Sequence, residues 1–226
     1  MHYNWSKTQK LVLTGMFGAI IFLLTFTPIG FVQVPIIGSA TTMHIPVIIG
    51  AILLGPKYGA ILGFFFGLSS FIFASTLSTT LTAFAFTPLR PVPGTDSGSP
   101  WALLIAFGPR ILVGVVAPLM YTLCVKILPS RLKSVGISMA AIAATATNTL
   151  LVVHMLFFLF RAPWTYARVG AGTVDPQITY TFIARVMIGT FGVAEAIIAA
   201  IVAPAVCMAL FMVSERLAPR RQVGKV

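Results

Sequence analysis

MHIPVIIGAILLGPKYGAILGFFFGLSSFIF, from Met43 to Phe73, is the stretch that decides the fold. A short apolar run meets Gly55, Pro56 and Lys57, and a second apolar run rich in Gly and Phe follows. Proline cannot continue a helix interior, and glycine supplies the tight turn before it. The stretch therefore predicts two membrane helices joined by a basic turn. The first, about Met43 to Leu54, spans only ~18 Å at the helical rise, which is short for a bilayer crossing. A short helix that opens with His44 and Pro46 is expected to hang beneath a folded loop. There it helps to enclose a cavity for a small molecule.

Composition widens this to the whole chain. Of 226 residues, 58% are hydrophobic and 8% are charged. A soluble domain carries about a quarter charged residues, so a soluble globular class is excluded. The net charge of +11 does not point to nucleic acid, because the basic residues lie between apolar runs and not on one polar face. Cys124 and Cys207 both fall in apolar helical text with no CxxC or Cys/His spacing, so neither a metal site nor a redox pair is expected. The apolar run after Lys10 is longer than a signal-peptide core and lacks a small-x-small cleavage site, so it is expected to remain as a helix.

Six helices are predicted along the chain, as a single domain over residues 1–226. The first runs from about Thr8 to Phe26. Its Gly15, Gly18 and Ala19 include a small-xxx-small face, which lets helices approach closely in lipid. Pro28 to Thr42 forms an uncharged first loop, suited to be a lid over a site or a re-entrant packing segment. After the helix at Met43–Leu54, the third runs from about Tyr58 to Leu77. A Pro/Gly/Ser loop covers Thr87 to Pro100. The fourth helix covers Trp101 to Leu128 and the fifth Val135 to Phe160. A third long loop runs from Ala162 to Gln177. The last helix, about Ile178 to Ser214, is too long for one span unless it tilts or projects.

Ten Lys and Arg residues fall at the two termini and in the turns around Lys57 and Lys126–Lys133, against Arg90, Arg161 and Arg168 in the other loops. The bias puts both termini in the cytoplasm. The fold class expected is thus an all-α, multi-pass membrane protein.

Arg110 and Glu195 are ionisable groups inside predicted spans, which marks them as inward-facing and functional candidates. Heights follow from the helical rise of ~1.5 Å per residue, counted from the cytoplasmic helix ends. On that scale Arg110, Asn148, Glu195, His44, Ser69 and Ser70 all fall in the outer half of the membrane, under the uncharged first loop. An Arg fork suits a ligand carboxylate, although Arg110 and Glu195 could instead neutralise one another. Asn148 and Glu195 suit amide and hydroxyl groups. Trp101, Trp164 and Tyr166 read as an aromatic belt, and Trp164 or Trp101 could also close over a ligand.

The chain resembles the substrate-binding (S) component of energy-coupling factor vitamin transporters, most like the pantothenate-specific type. The residues that carry the resemblance are the Gly15–Ala19 face, the apolar first loop and His44 to Ile72, above all LLGPKYGA from Leu53 to Ala60. The resemblance implies a transport subunit that binds its vitamin from outside under the first loop. It implies partners too: a membrane scaffold subunit, docked at Gly15, Gly18 and Ala19, and two cytoplasmic ATPases. No GxxxxGK[ST] string occurs here, so ATP and Mg would belong to those partners and this chain would carry no cofactor, metal or catalytic residue. S components for biotin, folate, riboflavin, thiamine or pyrimidine precursors would share the architecture.

Two other classes fit less well. An intramembrane serine hydrolase would need GxSG, and Gly67-Leu68-Ser69-Ser70 ends in Ser. A stand-alone secondary transporter would show inverted repeats and a coupling-ion carboxylate pair.

Overall fold

The computed structural model describes residues 5–34, 38–80, 82–169, 180–181, 184–185 and 187–217. Among them are α1 (Lys7–Thr25), α2 (His44–Leu54), α3 (Pro56–Thr76), α4 (Trp101–Ile127), α5 (Lys133–Val169) and α6 (Val193–Leu217). All but α2 are long and apolar enough to cross a membrane.

Local chemistry sets the helix ends. Ser6 and Gln9 form a capping box at α1: Gln9 N–H donates to Ser6 Oγ at 3.1 Å, and Ser6 N–H donates to Gln9 Oε1 at 2.9 Å. The Gly-Pro-Lys break falls where the sequence predicts it. Gly55 adopts φ 93°, a left-handed conformation that favours glycine. Pro56 then occupies the first turn of α3, two residues earlier than the predicted start, because its missing N–H costs nothing there.

Three elements depart from the prediction. The first loop carries a two-stranded antiparallel hairpin, β1 (Phe31–Val34) and β2 (Gly38–Thr41), with Phe31 opposite Thr41. Helix α5 does not stop at Phe160. It kinks there (φ −131°, ψ 22°) and continues to Val169, the kink lying just before Pro163, which cannot donate a helical N–H. Of the loop predicted at Ala162–Gln177, the part to Val169 is therefore helical, and the rest lies outside the described residues. The predicted last helix is broken by a π-helical turn at Met187–Gly192 before α6 begins.

Helices α3 and α4 meet through a stripe of glycines. A Cβ at Gly59 would strike the carbonyl of Gly114, one at Gly63 would lie 2.7 Å from Ile111 Cα, and one at Gly67 would lie 3.0 Å from the Ala106 carbonyl oxygen. The two backbones are thus in direct contact, as small-residue stripes permit. Helix α2 is buried almost from end to end, so it is an internal post and not a lipid-facing element. Prolines inside helices free carbonyls four residues upstream, and these are reused. Pro204 frees the carbonyl of Ala200, which accepts from Ser138 Oγ on α5 at 2.8 Å.

Two apolar cores result. One surrounds α2, with Ile21, Ile48, Leu62 and Phe66. The other lies among Phe84, Ile105, Leu156 and Phe160.

Candidate functional site

A polar cavity lies between the two cores, and each wall has a local cause. Pro109 sits inside α4 and cannot donate to Ile105, four residues before it. Arg110 Nη1 donates to that freed Ile105 carbonyl at 2.9 Å. The same guanidinium lies 4.8 Å from the Phe86 ring centre and 5.5 Å from that of Phe66, within cation–π range. The Pro-Arg pair thus fixes the fork in the cavity wall. Arg110 is only 5% exposed, and its Nε has no hydrogen-bond partner.

Asn148 on α5 and Ser70 on α3 line the same cavity. Both are buried, and Asn148 Oδ1 and Ser70 Oγ also lack partners. Buried polar atoms are normally hydrogen-bonded. Two such atoms on the wall of one cavity, beside a guanidinium whose Nε is also unpaired, form a ready set of donors and acceptors for a polar, acidic small molecule. Glu195 on α6 completes the wall. Its Oε1 accepts the backbone N–H of Thr41, at the end of β2, at 2.6 Å.

A family described as ECF transporter, substrate-specific component, matches residues 9–207. The chain belongs to this family. It is therefore a transport subunit that works with an energy-coupling module, not an enzyme in itself. The pantothenic acid transporter PanT of Lactococcus lactis subsp. cremoris is 40% identical over 206 residues, covering 91% of this chain and 95% of that protein.

The S component brings four of its seven predicted ligand residues to the cavity: Arg110, Asn148, Glu195 and Ser70. The other three are placed elsewhere. Ser69 points away, its Oγ donating to Phe66 O and Met43 Sδ, both at 3.0 Å. His44 is buried at the start of α2 and does not line the cavity. Trp101 is 57% exposed at the start of α4 and does not line the cavity. The side chains of Trp164 and Tyr166 lie outside the described residues.

On α1, Gly15 faces open space and Ala19 is exposed. Gly18 is turned the other way: a Cβ there would sit 2.9 Å from the Phe65 ring, so it packs within the chain and is not part of the outward face.

Several wall residues were not foreseen. Ser78, Thr80 and Thr82 follow α3 and form a hydroxyl ladder, with Oγ–Oγ1 and Oγ1–Oγ1 distances of 2.9 and 3.3 Å. The signal was present in Leu77-Ser78-Thr79-Thr80-Leu81-Thr82, a hydroxyl-rich run in an otherwise apolar region. Phe31 of the hairpin also lines the cavity and stacks on Phe73 of α3, centroids 4.0 Å apart.

A larger groove of about 610 Å³ opens between α1 and α6, walled by residues such as Val12, Met16, Leu210 and Val213. Its walls are mostly aliphatic, with Thr8, Gln9 and Ser214 as the polar exceptions, a poor match for a water-soluble ligand.

Proposed function

We propose that this S component captures pantothenate. The observation that supports this most directly is Arg110, fixed by Ile105 and flanked by Asn148 and Ser70. A carboxylate would meet the Arg110 fork, the amide Asn148, and the hydroxyl end the ladder at Ser78, Thr80 and Thr82. The likeness to the Lactococcus transporter agrees with that choice.

In this reading residues 1–226 form one multi-pass domain of the cell membrane, with six spans and both termini in the cytoplasm. The vitamin arrives from outside beneath the β1–β2 hairpin. The loaded chain docks through the Gly15–Ala19 face on a membrane scaffold subunit driven by two ATPases. Those partners use ATP and Mg, and this chain holds no cofactor or metal.

The test is ligand binding by the purified lone chain, with pantothenate, pantothenol, biotin and riboflavin side by side. Pantothenate is expected to bind tightly, and pantothenol, which lacks the carboxylate, ~100-fold or more weakly. Tight binding of another vitamin alone would overturn the substrate. Equal binding of pantothenate and pantothenol would remove Arg110 from its role.

Thr80→Val tests the ladder. It keeps the shape and removes the middle hydroxyl, and it is expected to weaken pantothenate by about 1 kcal/mol, or ~5-fold. Unchanged affinity by calorimetry would take the ladder out of the site.

A further inference from the structure

We infer that Glu195 is the latch of the lid, a positioning residue that holds the β1–β2 hairpin shut over the cavity. The inference rests on the reading of the chain as a binder loaded beneath its first loop.

The hairpin is fastened at three described points. At its base, Thr42 N–H donates to the Gly30 carbonyl at 3.1 Å, which closes the loop on itself. On one side, Phe31 stacks on Phe73 of α3. On the other, Thr41 N–H donates to Glu195 Oε1, joining residues 154 apart in sequence. Phe31 and Thr41 are opposite each other in the hairpin register, so the aromatic and the carboxyl fastenings grip the same rung.

That rung is mechanically connected to both neighbours. Thr41 Oγ1 accepts Met43 N–H at 3.2 Å, which ties the end of β2 to the start of α2. Glu195 stands in the first turn of α6, just past the π-helical turn whose Phe191 and Met187 line the cavity. Gly192, at the end of that turn, packs against Thr149 of α5, where a Cβ would come within 2.7 Å. π-turns of this kind are frequent at functional sites. The carboxyl group is therefore aimed by a defined backbone feature at a lid amide. Opening the lid requires breaking this hydrogen bond and sliding Phe31 off Phe73.

A latch and a ligand contact make different predictions. A contact loses affinity for those ligands that carry the contacted group. A latch loses the same factor for every ligand that fits, and the loss appears as faster release. It also alters the lid when no ligand is present.

The experiment is hydrogen exchange of the full-length, ligand-free chain, followed by mass spectrometry, for wild type, Glu195→Gln and Glu195→Ala. Peptides covering residues 31–43 report on the lid, and peptides from α3 and α4 report on the rest. Glu195→Ala is expected to speed lid exchange by ~10-fold or more, with α3 and α4 unchanged. Glu195→Gln keeps an acceptor oxygen and is expected to stay within ~3-fold of wild type. Pantothenate and pantothenol should then dissociate faster from Glu195→Ala by a common factor.

Unchanged lid exchange in Glu195→Ala would overturn the latch and leave the substrate standing. Faster exchange throughout α3 and α4 would make Glu195 a packing residue, which also overturns it. Selective loss of one ligand would make it a ligand contact instead. A chain that binds no pantothenate but shows the lid effect would sink the proposed substrate and keep the latch.

Discussion

Arg110→Ala is expected to lower pantothenate affinity by ~10³-fold, the cost of leaving a buried carboxylate without its partner. Pantothenol, with no carboxylate to lose, should change by no more than ~3-fold on the same reasoning. Arg110→Lys should fall between, ~10- to 100-fold weaker, because an ammonium keeps the charge and loses the fork. The lone chain should still fold. The guanidinium makes one hydrogen bond inside its own helix, to Ile105 O. Its contacts to other elements are the faces of Phe66 and Phe86, so the unfolding temperature should fall by only about 5 °C. Calorimetric titration of the three variants with both ligands decides the matter. If pantothenate and pantothenol lose affinity equally in Arg110→Ala, the residue shapes the cavity and does not clamp an acid.

The second large effect falls on stability. Gly63→Val should destabilise the chain by more than ~3 kcal/mol, beyond ordinary overpacking, because the new side chain meets backbone and no neighbouring rotamer can yield. The obstacles are the Arg110 carbonyl and Ile111 Cα. Gly15→Ala is the control. Nothing lies within 4 Å of a Cβ there, so the lone chain should be unaffected or gain up to ~1 kcal/mol from helix propensity. Thermal unfolding in detergent separates the two. A Gly63→Val chain that unfolds at the wild-type temperature would mean that α3 and α4 are not in backbone contact. Gly15→Leu should fold and bind normally, yet slow uptake by the assembled transporter if that face docks on the scaffold. Uptake at the wild-type rate would move the docking face elsewhere.

Much of the fold was legible because long apolar runs and Gly-Pro breaks act locally. The turn at Gly55–Pro56 follows from two residues. The hairpin in the first loop was not legible, since the one apolar–polar alternation in Phe31–Thr41, Val32-Gln33-Val34, is too short to separate strand from loop. The glycines at 59, 63 and 67 were visible at a four-residue spacing. Gly15 and Ala19 have the same spacing and face the opposite way, outward.

The site shows the same limit. Height along a helix follows from the rise per residue, and it brought Arg110, Asn148, Ser70 and Glu195 to one level. Direction around the helix depends on which neighbour packs where. That is why Ser69, one residue from Ser70, bonds to Met43 and Phe66 instead of lining the cavity, and why His44, though buried, does not line it either. The ladder at Ser78–Thr82 escaped notice because it lies between helices, where no rise can be counted.

Backbone contact at Gly59, Gly63 and Gly67 carries Arg110 on the part of the molecule least free to drift. Thr80 and Phe31 sit on connecting segments, and Asn148 on a different helix. Amino-acid replacements that reshape the far end of the cavity therefore leave the acid-binding end in place. Chains of this design are expected to diversify by changing what is attached to an acidic group, and to give up the acidic group last. Directed evolution should mirror this. Libraries at residues 78–82 and at Asn148 should yield binders of other carboxylates within a few substitutions, whereas a neutral cargo would require Arg110 itself to be replaced.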